Sequence, residues 1–152
     1  MKILKKPPLP RKKPSQSRSQ LTLQALQEAF VRVLIERGYE KMTIREVVAV
    51  AGVGIGTFYD YMPNLRSLAG STINKRCTES ATVLNSTMAL HEGLSIELTV
   101  EQLLKALVKE GFGKPKEWTA LLLLERQVSS ADALKKIHDH FVQIWASAIR
   151  HS

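Results

Sequence analysis

The chain is 152 residues long, enough for one ordinary domain or for a small module followed by a second helical bundle. Its formal charge of +8 is uneven: residues 1–18 hold seven of the 22 cations and no acid, so the rest of the chain is close to neutral. One cysteine, Cys77, excludes an internal disulfide, and no apolar run approaches the roughly 18 residues needed to cross a bilayer.

The start, MKILKKPPLPRKK, is basic but lacks the apolar core of a secretory signal, so a cytoplasmic protein without a membrane segment is expected. Residues 1–19 combine Pro7, Pro8, Pro10 and Pro14 with cations and a Ser/Gln stretch. Such a segment buries too little apolar surface to offset its ordering entropy, which predicts a flexible basic arm. An arm of this kind lies along phosphates or enters a minor groove, or serves only as a solubilising tail or proline-rich ligand.

The first convincing helix spans residues 20–37, where Leu23, Leu26, Ala29, Phe30, Val33 and Leu34 recur at helical spacing and Gly38 ends the run. Tyr39 is placed in the corner that follows. Thr43 and Glu46 form a capping box, opening a helix whose apolar face is Ile44, Val47, Val48 and Ala51. Gly52 stops it as a residue free to take positive φ, and Val53 is the apolar plug. The next helix, from Gly54 to Tyr61, is too short and too poor in apolar residues for a core element. Its outward residues are small or hydroxylated (Gly54, Gly56, Thr57), followed by Tyr59 and Tyr61, which suits close approach to a groove, as in a helix-turn-helix recognition helix.

Met62-Pro63-Asn64 then opens a long helix predicted to run to about Asn85. Residues 86–98 read as a loop or frayed end. A second capping box, Thr99 with Gln102, is expected to open a helix ended by Gly111, Gly113 and Pro115. The next helix, 117–128, contains four consecutive leucines, Leu121 to Leu124, which predicts burial on most sides. Ser129 or Ser130 caps a last helix over 131–149, with Leu134, Ile137, Phe141, Ile144, Trp145 and Ala148 on one stripe.

Thr43-Ile44, Ala51-Gly52-Val53, Gly56-Thr57-Phe58-Tyr59 and Pro63-Asn64, with Gly38-Tyr39 upstream, together resemble the DNA-binding domain of TetR-type (TetR/AcrR) transcriptional regulators. The resemblance covers about residues 20–75. A helical hairpin in a purely structural bundle would match the periodicity but not the ordered caps, glycines and tyrosine. Two positions depart from the family pattern: Leu65 stands where a phosphate-contacting lysine is usual, with Arg66 next to it, and Gly54 replaces a capping serine.

The resemblance implies an all-α fold, in which a three-helix helix-turn-helix domain (20–62) precedes a helical ligand-binding and dimerising bundle (63–152). It implies a repressor bound to double-stranded DNA as a homodimer on a palindrome and relieved by an apolar small-molecule effector. Thr43, Arg45, Gly54, Ile55, Gly56, Thr57, Tyr59, Tyr61 and Arg66 are the DNA-contact candidates. Trp118, Leu122, Phe141 and Trp145 are the pocket candidates, because an apolar effector needs large flat side chains around it. Family members carry two further long helices that pair across a two-fold axis. The sequence ends before these, which leaves a short or truncated chain, or dimerisation by another surface. A shortened interaction protein that pairs with a full-length regulator or another partner, without stable DNA binding, is the competing reading.

Catalysis and cofactors are not expected. His138 and His140 are two residues apart, so on a helix they point to different faces, and neither His91 nor Cys77 has metal-ligand spacing to them.

Overall fold

The computed structural model describes residues 17–150, and these form seven α-helices with one 3-10 turn. They are α1 (Ser17–Arg37), α2 (Ile44–Ala51), α3 (Ile55–Tyr61), α4 (Leu65–Leu90), α5 (Ile96–Gly113), α6 (Pro115–Val128) and α7 (Ala131–Arg150), with the 3-10 turn at Tyr39–Lys41. Most of the expected basic arm lies outside the described residues. Its last residues, from Ser17, already belong to α1: nothing after Pro14 breaks a helix, and the Thr22 hydroxyl bonds back to the Arg18 carbonyl.

The helices form two compact units. The first holds the described residues through Asn74 together with Lys116–Ser129. Its buried side chains come from α1 (Leu26, Phe30, Val33, Leu34), α2 (Val47, Val48), α3 (Phe58), the start of α4 (Leu68, Ala69, Ile73) and α6 (Leu121, Leu124, Val128). Gln27 is also buried, and its amide donates to Ser71 Oγ at 2.9 Å, joining α1 to α4. A buried amide left without such a partner would be costly, so this bond fixes the register of the two helices. Tyr39 meets Phe30 edge-on, with ring centroids 6.4 Å apart, in the corner the sequence assigned to it.

The second unit holds Lys75–Pro115 and the described residues from Ser130 on. Its core joins Ala81 and Leu84 of α4, Leu103 of α5, and Ile144 and Ala148 of α7, with Met88, Leu107, Phe141 and Trp145 packed around them. The buried Ser80 hydroxyl donates to Glu110 Oε1 at 2.7 Å and ties α4 to α5.

Three expectations for this half are corrected. Residues 86–90 are helical, because Ser-Thr-Met-Ala-Leu contains no breaker and the chain turns only at Gly93, with φ of 85°. Thr99 does not open α5. The helix starts one turn earlier, after Ser95, and Thr99 is buried inside it with its amide bonded to the Ser95 carbonyl. Ser95 has the extended backbone of a helix start (φ −61°, ψ 158°), and Glu97 follows in the first turn, where a carboxylate favours the helix dipole. The leucine run is buried on one side only: Leu121 and Leu124 are enclosed, while Leu122 and Leu123 are 55% and 63% exposed. Leu121, Leu124 and Val128 share one face at spacings of three and four, so α6 is an ordinary amphipathic helix.

The turn between α2 and α3 depends on Gly52, at φ 69° and ψ 30°, whereas Gly54 sits at φ −76°. Neither has an atom within 4 Å of where a β-carbon would be, so the backbone angle alone separates them. Gly52→Ala is expected to lower stability in urea unfolding by about 1–2 kcal/mol. Gly54→Ser is expected to change it by no more than a few tenths, in the stabilising direction.

Candidate nucleic-acid interface

The site begins with the closure of α2 at its N-terminus. Thr43 Oγ1 accepts from the Glu46 amide at 3.3 Å, while the Thr43 amide and hydroxyl both donate to Glu46 Oε2 at 2.9 Å. The other carboxylate oxygen, Oε1, lies 3.5 Å from Arg37 Nε at the end of α1. The hydrogen bonds from Thr43, and secondarily the Arg37 charge, hold the Glu46 carboxyl below its ordinary range. The Thr43 hydroxyl proton is therefore committed within the cap. The amides of Ile44 and Arg45, which have no intrahelical acceptor, are the donors at this helix start, and Arg45 itself is exposed.

At the other end of α2 the Gly52 amide bonds back to Ala49 and Val48, and the Val53 amide to the Val48 carbonyl at 3.1 Å. This left-handed closure reverses the chain within Gly52-Val53-Gly54 and launches α3. A seven-residue helix is not stable alone, so tertiary anchors must hold it. Phe58 and Met62, four apart, are both completely buried, and the Met62 amide closes on the Phe58 carbonyl at 2.8 Å. That anchoring turns the opposite face outward. Ile55 and Tyr59 are 45% and 44% exposed, and Gly54 and Gly56 are exposed beside them. Thr57 and Tyr61 are half-buried, and Tyr59 rests edge-on against Phe58 with centroids 5.4 Å apart.

α4 begins after the Asn64 side chain accepts from the Ser67 amide at 2.9 Å. Arg66, in its first turn, has an exposed side chain, but its Nε and Nη2 both donate to the Val128 carbonyl at 3.3 and 3.0 Å. Eight of the nine candidates thus come from α2, α3 and their caps, and Arg66 is engaged with the end of α6. Sequence reasoning missed that engagement and the Arg37–Glu46 link; neither has a local signal, because both join residues from different elements.

The four pocket candidates divide between the units. Half-buried Trp118 and exposed Leu122 lie on α6 in the first, while Phe141 and Trp145 pack on the core of the second. The second unit carries a cavity of about 270 Å³, lined by Met88, His91, Glu92, Thr99 and Ser147 among others. None of the four candidates is in its lining. His91 Nδ1 lies 2.8 Å from the Thr87 carbonyl, which can only accept, so that nitrogen is the donor. Among the described residues, no three His, Cys, Asp or Glu side chains are grouped as a metal site, and His138 sits beside Asp139 instead. No helix of the described residues is long and apolar enough to cross a membrane.

A capped helix, a glycine reversal and a short helix with an outward ridge define a helix-turn-helix module. Residues 26–69 match the family model described as bacterial regulatory proteins, tetR family. No curated protein matches the chain. Among solved structures, it is similar to a fatty acid degradation regulator, FadR, from Bacillus halodurans, with a TM-score of 0.62 at 22% identity over 85% of this chain and 61% of that one. It is also similar to a tetR family transcription regulator from Shewanella sp. PV-4, with a TM-score of 0.65 at 19% identity, covering 85% of this chain and 68% of that one. The chain therefore spans about three-fifths of the length of the first of these. Residues 26–69 therefore carry the helix-turn-helix domain of that family, and the described residues of the chain are all-α.

The cap carries a pH signature. Because the Glu46 pKa is lower in the folded chain than in the unfolded one, its contribution is complete above the ordinary glutamate range. It is lost as pH falls through the lowered value. Thr43→Ala is expected to lower stability at neutral pH by about 1 kcal/mol. Glu46→Gln is expected to flatten the acid limb of the stability–pH curve, as measured by urea unfolding between pH 3 and 7.

Proposed function

We propose that this chain is a sequence-specific double-stranded DNA-binding transcriptional regulator, acting as a repressor. The observation that carries the reading is the outward ridge of α3, Ile55, Gly56 and Tyr59, held in place by Phe58 and Met62 on its inner side. Small residues at Gly54 and Gly56 let the backbone approach base edges, and Thr57 and Tyr59 supply hydroxyl groups to bases and phosphates. Tyr61 is a further phosphate contact from the end of the helix. Exposed Lys41 and Arg45 flank the α2 cap and neutralise phosphates, beside the free amides at the helix start. The basic segment before α1 adds sequence-independent attraction.

The chain works as a homodimer on a palindrome, with the two recognition helices about 34–36 Å apart, one turn of DNA. An apolar effector with a polar end lodges in the cavity of the second unit and relieves repression. It acts only through different affinity for the DNA-bound and free conformations.

The reading is tested by selecting duplexes from a random pool on the full chain and titrating one at several salt concentrations. Affinity is expected to fall with salt, with a log–log slope near 0.9 per phosphate neutralised. Tyr59→Ala is expected to weaken binding roughly tenfold to a hundredfold with unchanged helicity by circular dichroism. Removing residues 1–16 is expected to reduce the slope while preserving sequence preference. Equal affinity of the Tyr59 variant, or preference lost with the N-terminal segment, would contradict the docking face. Capture of no duplex at all would favour a protein-interaction role instead.

A further inference from the structure

Arg66 is the cation nearest in sequence to the end of the recognition helix, in the first turn of α4. Only Met62-Pro63-Asn64 separates α3 from α4, and Met62 is completely buried. The guanidinium nevertheless turns toward α6, where Nε and Nη2 converge on one acceptor, the Val128 carbonyl. Val128 is the last residue of α6 and is itself buried. Its carbonyl belongs to the final turn, which has no intrahelical donor and carries the negative end of the helix dipole. A cation with a planar donor fork is the complement of that group. Burial pushes the Tyr39 phenol up from its ordinary value, and the Arg66 charge acts against that push. One side chain thus joins the first turn of α4 to the end of α6, both within the first unit. Two residues beyond Val128, Ser130 opens α7 by accepting from the Ala133 amide at 3.2 Å.

We propose that Arg66 is a positioning residue for DNA binding and not a phosphate contact. Held by the Val128 carbonyl, it fixes the first turn of α4 and with it the angle at which α3 stands after Met62. This role rests on the DNA-binding reading above. To reach a phosphate, the guanidinium would have to abandon a buried helix-end carbonyl for a solvated one, whereas Arg45 is exposed and has no such tie among its described contacts.

The test compares wild type, Arg45→Ala, Arg66→Ala, Arg66→Gln and Arg66→Lys on one duplex selected from a random pool by the full chain. Affinity is measured across a salt series, and amide hydrogen exchange is followed over residues 55–70 of the free protein. The expected result is that Arg66→Ala and Arg66→Gln weaken binding by about two- to thirtyfold with the salt slope unchanged. Arg66→Lys is expected to behave like them, because a point charge keeps a phosphate contact but not a two-pronged grip on a carbonyl. Exchange over residues 55–70 is expected to quicken in all three, while Arg45→Ala lowers the slope by about 0.9 without that change. A slope lowered by about 0.9 in Arg66→Ala and restored in Arg66→Lys would overturn the proposal and leave the DNA reading standing. So would unchanged affinity and exchange in all three variants. Wild type without salt-dependent, sequence-selective binding would instead overturn the DNA reading, and this role with it. Should Arg66→Ala fail to fold by circular dichroism, the Gln and Lys variants decide between the same outcomes.

Discussion

The left-handed backbone at Gly52 is the constraint on which the first unit depends. α2 must end where it does, because its buried face closes with Val47 and Val48 and the chain has to reverse before α3. At φ 69° an L side chain strains the backbone, while glycine does not, so the reversal is completed in Gly52-Val53-Gly54. The short helix that follows inherits its direction from that turn. Phe58 and Met62 then take its inner side, and Ile55, Gly56 and Tyr59 are left facing out. The ridge is thus a consequence of where one glycine sits and of which two side chains enter the core.

The second theme is how helix ends are closed. Each α-helix leaves backbone groups unsatisfied at its termini, and in this unit charged side chains serve two of these ends, one from its own helix and one from another. Glu46 closes the start of α2 with Thr43 and reaches Arg37 at the end of α1. Arg66 closes the end of α6 from the start of α4. Both contacts start from helix ends and tie elements together, and the buried Gln27–Ser71 bond joins α1 to α4 from within the two helices. Such bonds have strict geometry, whereas apolar contact alone tolerates sliding. The relative orientation of these helices is therefore better defined than their hydrophobic faces would require.

Much of the first unit was legible in the sequence because its signals are local. Thr43 and Glu46 are three residues apart, Gly52 follows an apolar face, and the Tyr39 corner sits directly after Gly38. Each feature is decided by neighbours in the chain, and each stands in the structure where the spacing placed it. The later helices were legible in number but not in detail. The spacing of Thr99 and Gln102 matched a capping box, yet Thr99 lies inside α5 and is buried there, which no local pattern reports. The four leucines of α6 announced an apolar helix, yet whether Leu122 and Leu123 are covered depends on what stands opposite them. Packing of α6 within the first unit, and the reach of Arg66 across 62 residues to Val128, are long-range facts with no short-range trace.

What remains decisive is whether the α3 ridge meets the wide face of a duplex. Methylation interference on a duplex selected by the full chain reads this directly, because guanine N7 lies in the major groove and adenine N3 in the minor. With α3 docked as proposed, N7 methylation should block binding at two clusters about one helical turn apart, related by the symmetry of the site. Interference confined to adenine N3, or absent from the major groove altogether, would contradict it.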